Sequence, residues 1–255
     1  MDELILEARS VSMHFGGLRA VDNVSFTMRK GEILGLIGPN GAGKTTLFNV
    51  ISGVYRPTSG AIIFDGKDTT GFPPYRMAEL GLGRTFQIVR PFPDLTVLEN
   101  VMIPLHLARF GRLLASFSSW NTSETRTRAL QLLEETGISN LADKRAGLLP
   151  LGNQRKLELA RALALRPKLL LLDETFSGLR HEEIDTIAAL VRSVRKKGIS
   201  ILLIEHNMKV AMGLSDRVVV LDHGRLLTEG EPEAVRRNPA VIEAYLGKGS
   251  MSYAS

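Results

Sequence analysis

Two stretches of the chain hold residues whose types and spacing suit phosphate chemistry. The first is Gly38-Pro39-Asn40-Gly41-Ala42-Gly43-Lys44-Thr45, a Gly-x4-Gly-Lys-Thr pattern followed by Thr46. Glycines let backbone N–H groups turn inward and approach phosphate oxygens. The flanking text predicts a buried strand over 32–37 and a helix from Lys44, whose N-terminus adds partial positive charge. Lys44 can then reach the terminal phosphates, and the Thr45 hydroxyl can ligate magnesium. The second stretch is Leu169-Leu170-Leu171-Leu172-Asp173-Glu174. Its leucine run suits a central parallel strand covered on both faces. The carboxylate pair falls at the strand's C-terminal end, where open α/β sheets bind ligands. Asp173 is placed to hold magnesium, and Glu174 to polarise an attacking water as general base. An ordinary strand-to-helix turn is a poor reading of the first stretch, because lysine, threonine and both flanking elements are present; the carboxylate pair alone reads equally as a solvated strand end, and beside the glycine loop it points to nucleotide hydrolysis.

The elements that must position these groups read as α/β. Short apolar, β-branched segments alternate with longer helical patterns. After the glycine-rich turn come a helix over 44–51 and a strand over 61–64. Residues 96–136 read mostly helical, with 111–123 expected as a surface loop because it is rich in serine and holds Trp120, the one tryptophan. A helix is expected over 154–165, with Leu157, Ala160, Leu163 and Ala164 on its buried face. Then follow a strand over 168–172, a helix over 182–197, a strand over 200–204 and a short helix from Asn207. A hairpin turns at His223-Gly224, and a tail over 232–246 reads as two short helices split by Pro239.

Composition narrows the class. The chain has 255 residues and is 44% hydrophobic and 23% charged, as in an ordinary globular protein, which argues against disorder or a coiled-coil rod. Its net charge of +5 is spread without a like-charge run, so no nucleic-acid arm is expected. With no cysteine, neither disulfides nor thiolate metal sites are available. The acidic start, Asp2-Glu3, does not look like a signal peptide, and no apolar run approaches the ~18–20 residues that span a bilayer. Any membrane role is therefore expected to depend on a separate protein.

Across nearly its whole length the sequence resembles the nucleotide-binding subunits of ABC transporters. The resemblance implies a P-loop core with a mixed, largely parallel sheet at about 1–88 and 165–230, an N-terminal antiparallel part, a helical subdomain at about 89–164 and a helical tail at about 231–255. It implies ATP and Mg2+ as cofactors. Gln87, in Arg84-Thr85-Phe86-Gln87, resembles the Q-loop glutamine, which contacts magnesium and water and senses the membrane partner. His206 resembles the switch histidine at the γ-phosphate, and Phe15 falls where the family stacks an aromatic on adenine. Outside that context Gln87 and His206 read as surface polar residues, and Phe15 as turn packing. A narrower resemblance, to the subgroup serving branched-chain amino acid uptake, rests on Gly83–Gln87, Phe92–Asn100, Ile204–Met208 and Val241–Gly247. It implies permease subunits, a second ATP-binding subunit, an indirect solute-binding protein, no nucleic acid, and residence at the cytoplasmic face of the membrane.

Three departures from the family pattern bear on activity. The signature, usually Leu-Ser-Gly-Gly-Gln, stands as Leu149-Pro150-Leu151-Gly152-Asn153. The serine hydroxyl and helix-terminal N–H groups normally reach the γ-phosphate held by the partner subunit; Pro150 lacks both a hydroxyl and an N–H. The D-loop reads Ser177-Gly178-Leu179-Arg180, placing a long cation at the dimer seam unless Arg180 simply extends into solvent. Thr175 stands where proline usually follows Asp-Glu. These departures favour a heterodimer with one fast and one slow site. Pro91 to Leu95 are expected to be partly exposed at a permease groove, with Leu98 and Val101 in the core. The competing readings are a soluble ABC ATPase acting on DNA or ribosomes, and a nucleotide-gated subunit with little turnover.

Overall fold

Buried strands and amphipathic helices follow the sequence pattern closely in the computed structural model, which describes residues 3–85, 91–115 and 121–246. The chain forms two compact units, Met1–Met77 with Val194–Ser255, and Ala78–Ser193.

The first unit opens with Leu4–Phe15 (β1) and Leu18–Arg29 (β2), an antiparallel ribbon reversed at Gly16. Along β2 the inward-facing Val24, Phe26 and Met28 are buried between exposed neighbours, as period-two alternation requires. Ile33–Ile37 (β3) is buried at every position and runs through the glycine loop into Lys44–Ile51 (α1). Ser59–Phe64 (β4) pairs antiparallel with β1 and with Lys67–Asp68 (β5), giving a sheet of order β2-β1-β4-β5. Pro74–Leu80 (α2) closes this stretch.

The second unit begins with Leu82–Arg84 (β6), which pairs in parallel with Leu169–Asp173 (β7), Arg84 standing opposite Leu171. Between them run Val97–Ala115 (α3), Ser123–Glu135 (α4) and Leu151–Ala164 (α5). Val97, Leu98, Val101, Leu132, Leu133 and Leu157 bury the facing sides of these three helices. Leu98 and Val101 are core as expected, and Pro91 to Leu95 are partly exposed. Two expectations need correcting. The segment expected as a loop over 111–123 is helical through Ala115, because Arg112-Leu113-Leu114-Ala115 are strong helix formers that outweigh Gly111, and Ser123 already belongs to α4, capped by Thr122; Trp120 lies outside the described residues. The helix expected from 154 starts at Leu151 instead. Pro150 holds the N-cap position with φ −58°, and its carbonyl accepts from the N–H groups of Asn153 and Gln154. His181–Lys196 (α6) follows β7.

Ser200–Ile204 (β8), Met208–Leu214 (α7) and the hairpin of Arg217–Asp222 (β9) and Arg225–Gly230 (β10) return to the first unit. There β3 lies in parallel between β8 and β9, with β10 antiparallel outside β9. Pro232–Arg236 (α8) and Pro239–Leu246 (α9) finish the described chain. Val235 and Val241 on these last helices share one apolar cluster with Ile37, Ala211, Val218 and Val220, so the tail packs on the strand that leads into the glycine loop.

Candidate functional site

The glycine loop gets its shape from backbone that only glycine tolerates. Gly38, Gly41 and Gly43 have φ of +151°, +81° and +94°. A Cβ on Gly38 would stand 2.1 Å from the Leu221 carbonyl oxygen, and one on Gly43 would stand 2.3 Å from that of Ala20. The loop is thus wedged between the β9–β10 hairpin and β2, while the space over Gly41 is open. The Lys44 ammonium, 4% exposed, donates to the carbonyls of Gly38 at 2.7 Å and Pro39 at 2.9 Å. It therefore braces the curled loop from within.

A cavity of about 480 Å3 opens here, lined by Asn40, Gly41, Ala42, Gly43, Lys44, Thr45, Thr46 and His206. Sequence reasoning had marked all eight. It missed Leu18, Arg19 and Ala20 from β2, and His223, which complete the wall. His223 is carried there by a left-handed backbone (φ +44°) in the hairpin turn, a placement with no local signal beyond the His-Gly pair. Phe15 does not line this cavity; its ring is 42% exposed and meets Tyr55 edge-on at 5.4 Å. Lysine, threonine hydroxyls and a backbone cradle are hard donors that suit a polyphosphate with its divalent counter-ion. Behind the loop, the half-exposed Tyr245 of α9 takes a hydrogen bond from the Gly38 backbone, and burial pushes its phenol up to about 12.

In the second unit β7 delivers the carboxylate pair. Asp173 is 3% exposed, and burial pushes its carboxyl above the usual carboxylate range; the Arg84 guanidinium, 3.5 Å away, opposes that shift. Glu174 follows with φ +47°, a left-handed conformation that costs a non-glycine residue about 1–2 kcal/mol. Thr175, the unusual successor, is 2% exposed, and its hydroxyl lies 3.4 Å from that of Thr85. Gln87 lies outside the described residues.

The altered signature and D-loop come together in this same unit. Leu149 is buried, Pro150 is exposed and gives no side-chain cap bond, and Leu151 is 40% exposed at the start of α5. A Cβ on Gly152 would stand 2.5 Å from the Glu183 Oε1. Glu183 also accepts from the Arg180 N–H at 3.0 Å and pairs with its guanidinium, and these contacts hold its carboxyl below the usual range. Arg180, 83% exposed, is thereby tied to its own chain at the head of α6. Gly178 rests against Leu151, with Ser177 exposed beside it and Leu179 half-buried.

A strand, a glycine cradle braced by lysine and a second strand ending in Asp-Glu define a P-loop nucleotide hydrolase. Comparison with known proteins gives the family. The ABC transporter profile matches residues 21–177, and the profile described as branched-chain amino acid ATP-binding cassette transporter matches residues 225–250. Over 254 residues the chain is 41% identical to the high-affinity branched-chain amino acid transport ATP-binding protein BraF of Pseudomonas aeruginosa and 42% identical to LivG of Escherichia coli K12, covering 97% of this chain and 100% of each relative. The ADP conformation of MJ1267, an ATP-binding cassette of an ABC transporter, superposes with a TM-score of 0.86 at 34% identity, over 96% of this chain and 99% of that one. The chain belongs to the ATP-binding cassette family of ABC transporters, and it is an ATP-hydrolysing subunit.

Proposed function

We propose that this chain powers import of branched-chain amino acids, or a related small polar solute, through a separate membrane permease. The observation that carries the cargo reading is the C-terminal match over residues 225–250, set within similarity to BraF and LivG along nearly the full length. That same full-length similarity speaks against a soluble ATPase acting on DNA or ribosomes. In cells whose only copy carries Glu174→Gln, uptake of labelled leucine should fall to background. Undiminished leucine uptake, alongside loss of some other solute, would replace the cargo.

At the site, backbone N–H groups of residues 38–46 and Lys44 bind the phosphates of ATP. Thr45 and Asp173 would hold magnesium, which when bound neutralises charge on the β- and γ-phosphates. Glu174 takes a proton from the attacking water, His206 meets the γ-phosphate, and Gln87 joins the water to the permease contact. Adenine is held by the β2 wall and by Phe15, which stands outside that wall but pairs with its Leu18 across the β1–β2 turn. The chain works at the cytoplasmic face of the membrane, served by an external solute-binding protein.

The second ATP-binding subunit is a different protein. Pro150 offers the partner's γ-phosphate neither a hydroxyl nor an N–H, and the Glu183 carboxylate crowds Gly152, adding negative charge where an anion must bind. One lost charge-assisted hydrogen bond weakens the trans contact about ten- to a hundred-fold. Purified Glu174→Gln chain is accordingly expected to bind Mg-ATP yet keep a monomer mass by light scattering. A dimer mass with Mg-ATP alone would overturn the heterodimer.

A further inference from the structure

Glu174 is a non-glycine residue in the left-handed region, and such strain persists only where the surroundings over-determine it. What constrains it is visible in the hydrogen bonds of its flanks. Strand β6 ends at Arg84, one residue short of a backbone partner for the end of β7. Thr85 supplies the missing partners. Its N–H donates to the Leu171 carbonyl at 2.9 Å, and its hydroxyl donates to the same oxygen at 3.4 Å. With its proton so placed, the Thr85 oxygen accepts from the Asp173 N–H at 3.3 Å and from the Thr175 hydroxyl at 3.4 Å. One buried oxygen, on a side chain 1% exposed, therefore touches the residue before Glu174 and the residue after it.

We infer that Thr85 is a positioning residue for hydrolysis: with Thr175 it staples both sides of Glu174 and holds that residue in its left-handed conformation, fixing where its carboxylate stands. A proline at position 175 has no hydroxyl to join this staple, so the departure at Thr175 supplies a constraint of its own. The staple also adds to the β6–β7 backbone pairing and the Arg84–Asp173 contact a side-chain link from the end of β6 to the residues on either side of Glu174. The inference rests on the reading of Glu174 as general base.

The test compares Thr85→Val, which keeps the shape but removes the hydroxyl, with Thr85→Ser, which keeps the hydroxyl. In the transporter assembled with its partner subunits, Thr85→Val is expected to lower kcat for ATP about 10- to 100-fold, the scale of a small misplacement of a reacting group. ATP affinity should stay within twofold, and Thr85→Ser should restore most of kcat. Thr175→Val should give a smaller loss and add little on top of Thr85→Val, since the two share one bond. Normal kcat in Thr85→Val, equal losses in the Val and Ser variants, or full additivity would each overturn the inference. Should Thr85→Val not fold, Thr175→Val decides: an unchanged kcat overturns the staple. A Glu174→Gln control separates the two readings, because normal turnover there removes the base itself, whereas a large loss there beside a harmless Thr85→Val removes only the staple.

Discussion

Replacing Glu174 with Gln should cut ATP turnover by about 100- to 10,000-fold, the usual contribution of a general base. Nucleotide affinity should barely move. The substitution keeps size and backbone preference, so the left-handed turn at φ +47° and its flanking bonds persist. It removes only the ability to take a proton from water. The phosphate cradle is braced by its own lysine, and Glu174 is not among the groups that bind the phosphates, so affinity has no reason to follow the carboxylate. Single-turnover hydrolysis of labelled ATP, paired with a fluorescent-nucleotide titration, measures both quantities on one preparation. Turnover within tenfold of the native chain would remove Glu174 from the chemistry and leave His206 as the group to test next.

Lys44→Ala is expected to act in the opposite way, on binding. The ammonium is almost wholly buried and holds the carbonyls of Gly38 and Pro39. Its loss removes the ammonium from both carbonyls, leaving Pro39 with the Ala42 N–H, and removes the cation that meets the phosphates. Hydrogen bonds to charged groups are worth about 1.5–3 kcal/mol each, so ATP affinity should fall at least 10- to 100-fold. Lys44→Arg should not rescue it, because a planar fork does not fit where a compact ammonium sits between two carbonyls. Equilibrium titration with a fluorescent ATP analogue reads the change directly. An affinity within threefold in Lys44→Ala would mean that the backbone cradle alone carries binding.

What could be read from the residues, and what could not, divides by the range of the interactions. The glycine loop and the Asp-Glu pair were legible because phosphate chemistry fixes residue types at fixed short spacing, and α1 begins at Lys44 as the sequence predicts. The tail split at Pro239 was legible for an equally local reason, since proline starts α9 and cannot continue α8. The exposed Arg180 is tied to its own helix. Its partner Glu183 stands three residues on, and that spacing at a helix start is a capping signal that could have been read. The Thr85–Thr175 contact could not. The two residues lie 90 positions apart, and no periodicity marks a hydroxyl that replaces a strand partner. The start of α5 at Leu151 was hidden by Pro150, which reads as a breaker until its carbonyl is seen to open the helix.

The packing of the last helices on Ile37 has a consequence for how the chain is made. The strand leading into the phosphate loop leaves the ribosome roughly two hundred residues ahead of Val235 and Val241, which cover its end. At roughly 5–20 residues per second, the interval is on the order of ten seconds or more. Throughout it Ile37 lacks the apolar cover of Val235 and Val241, and Gly38 lacks its contact with Tyr245. A nascent chain therefore carries every residue of the phosphate cradle long before the cradle is fully buttressed.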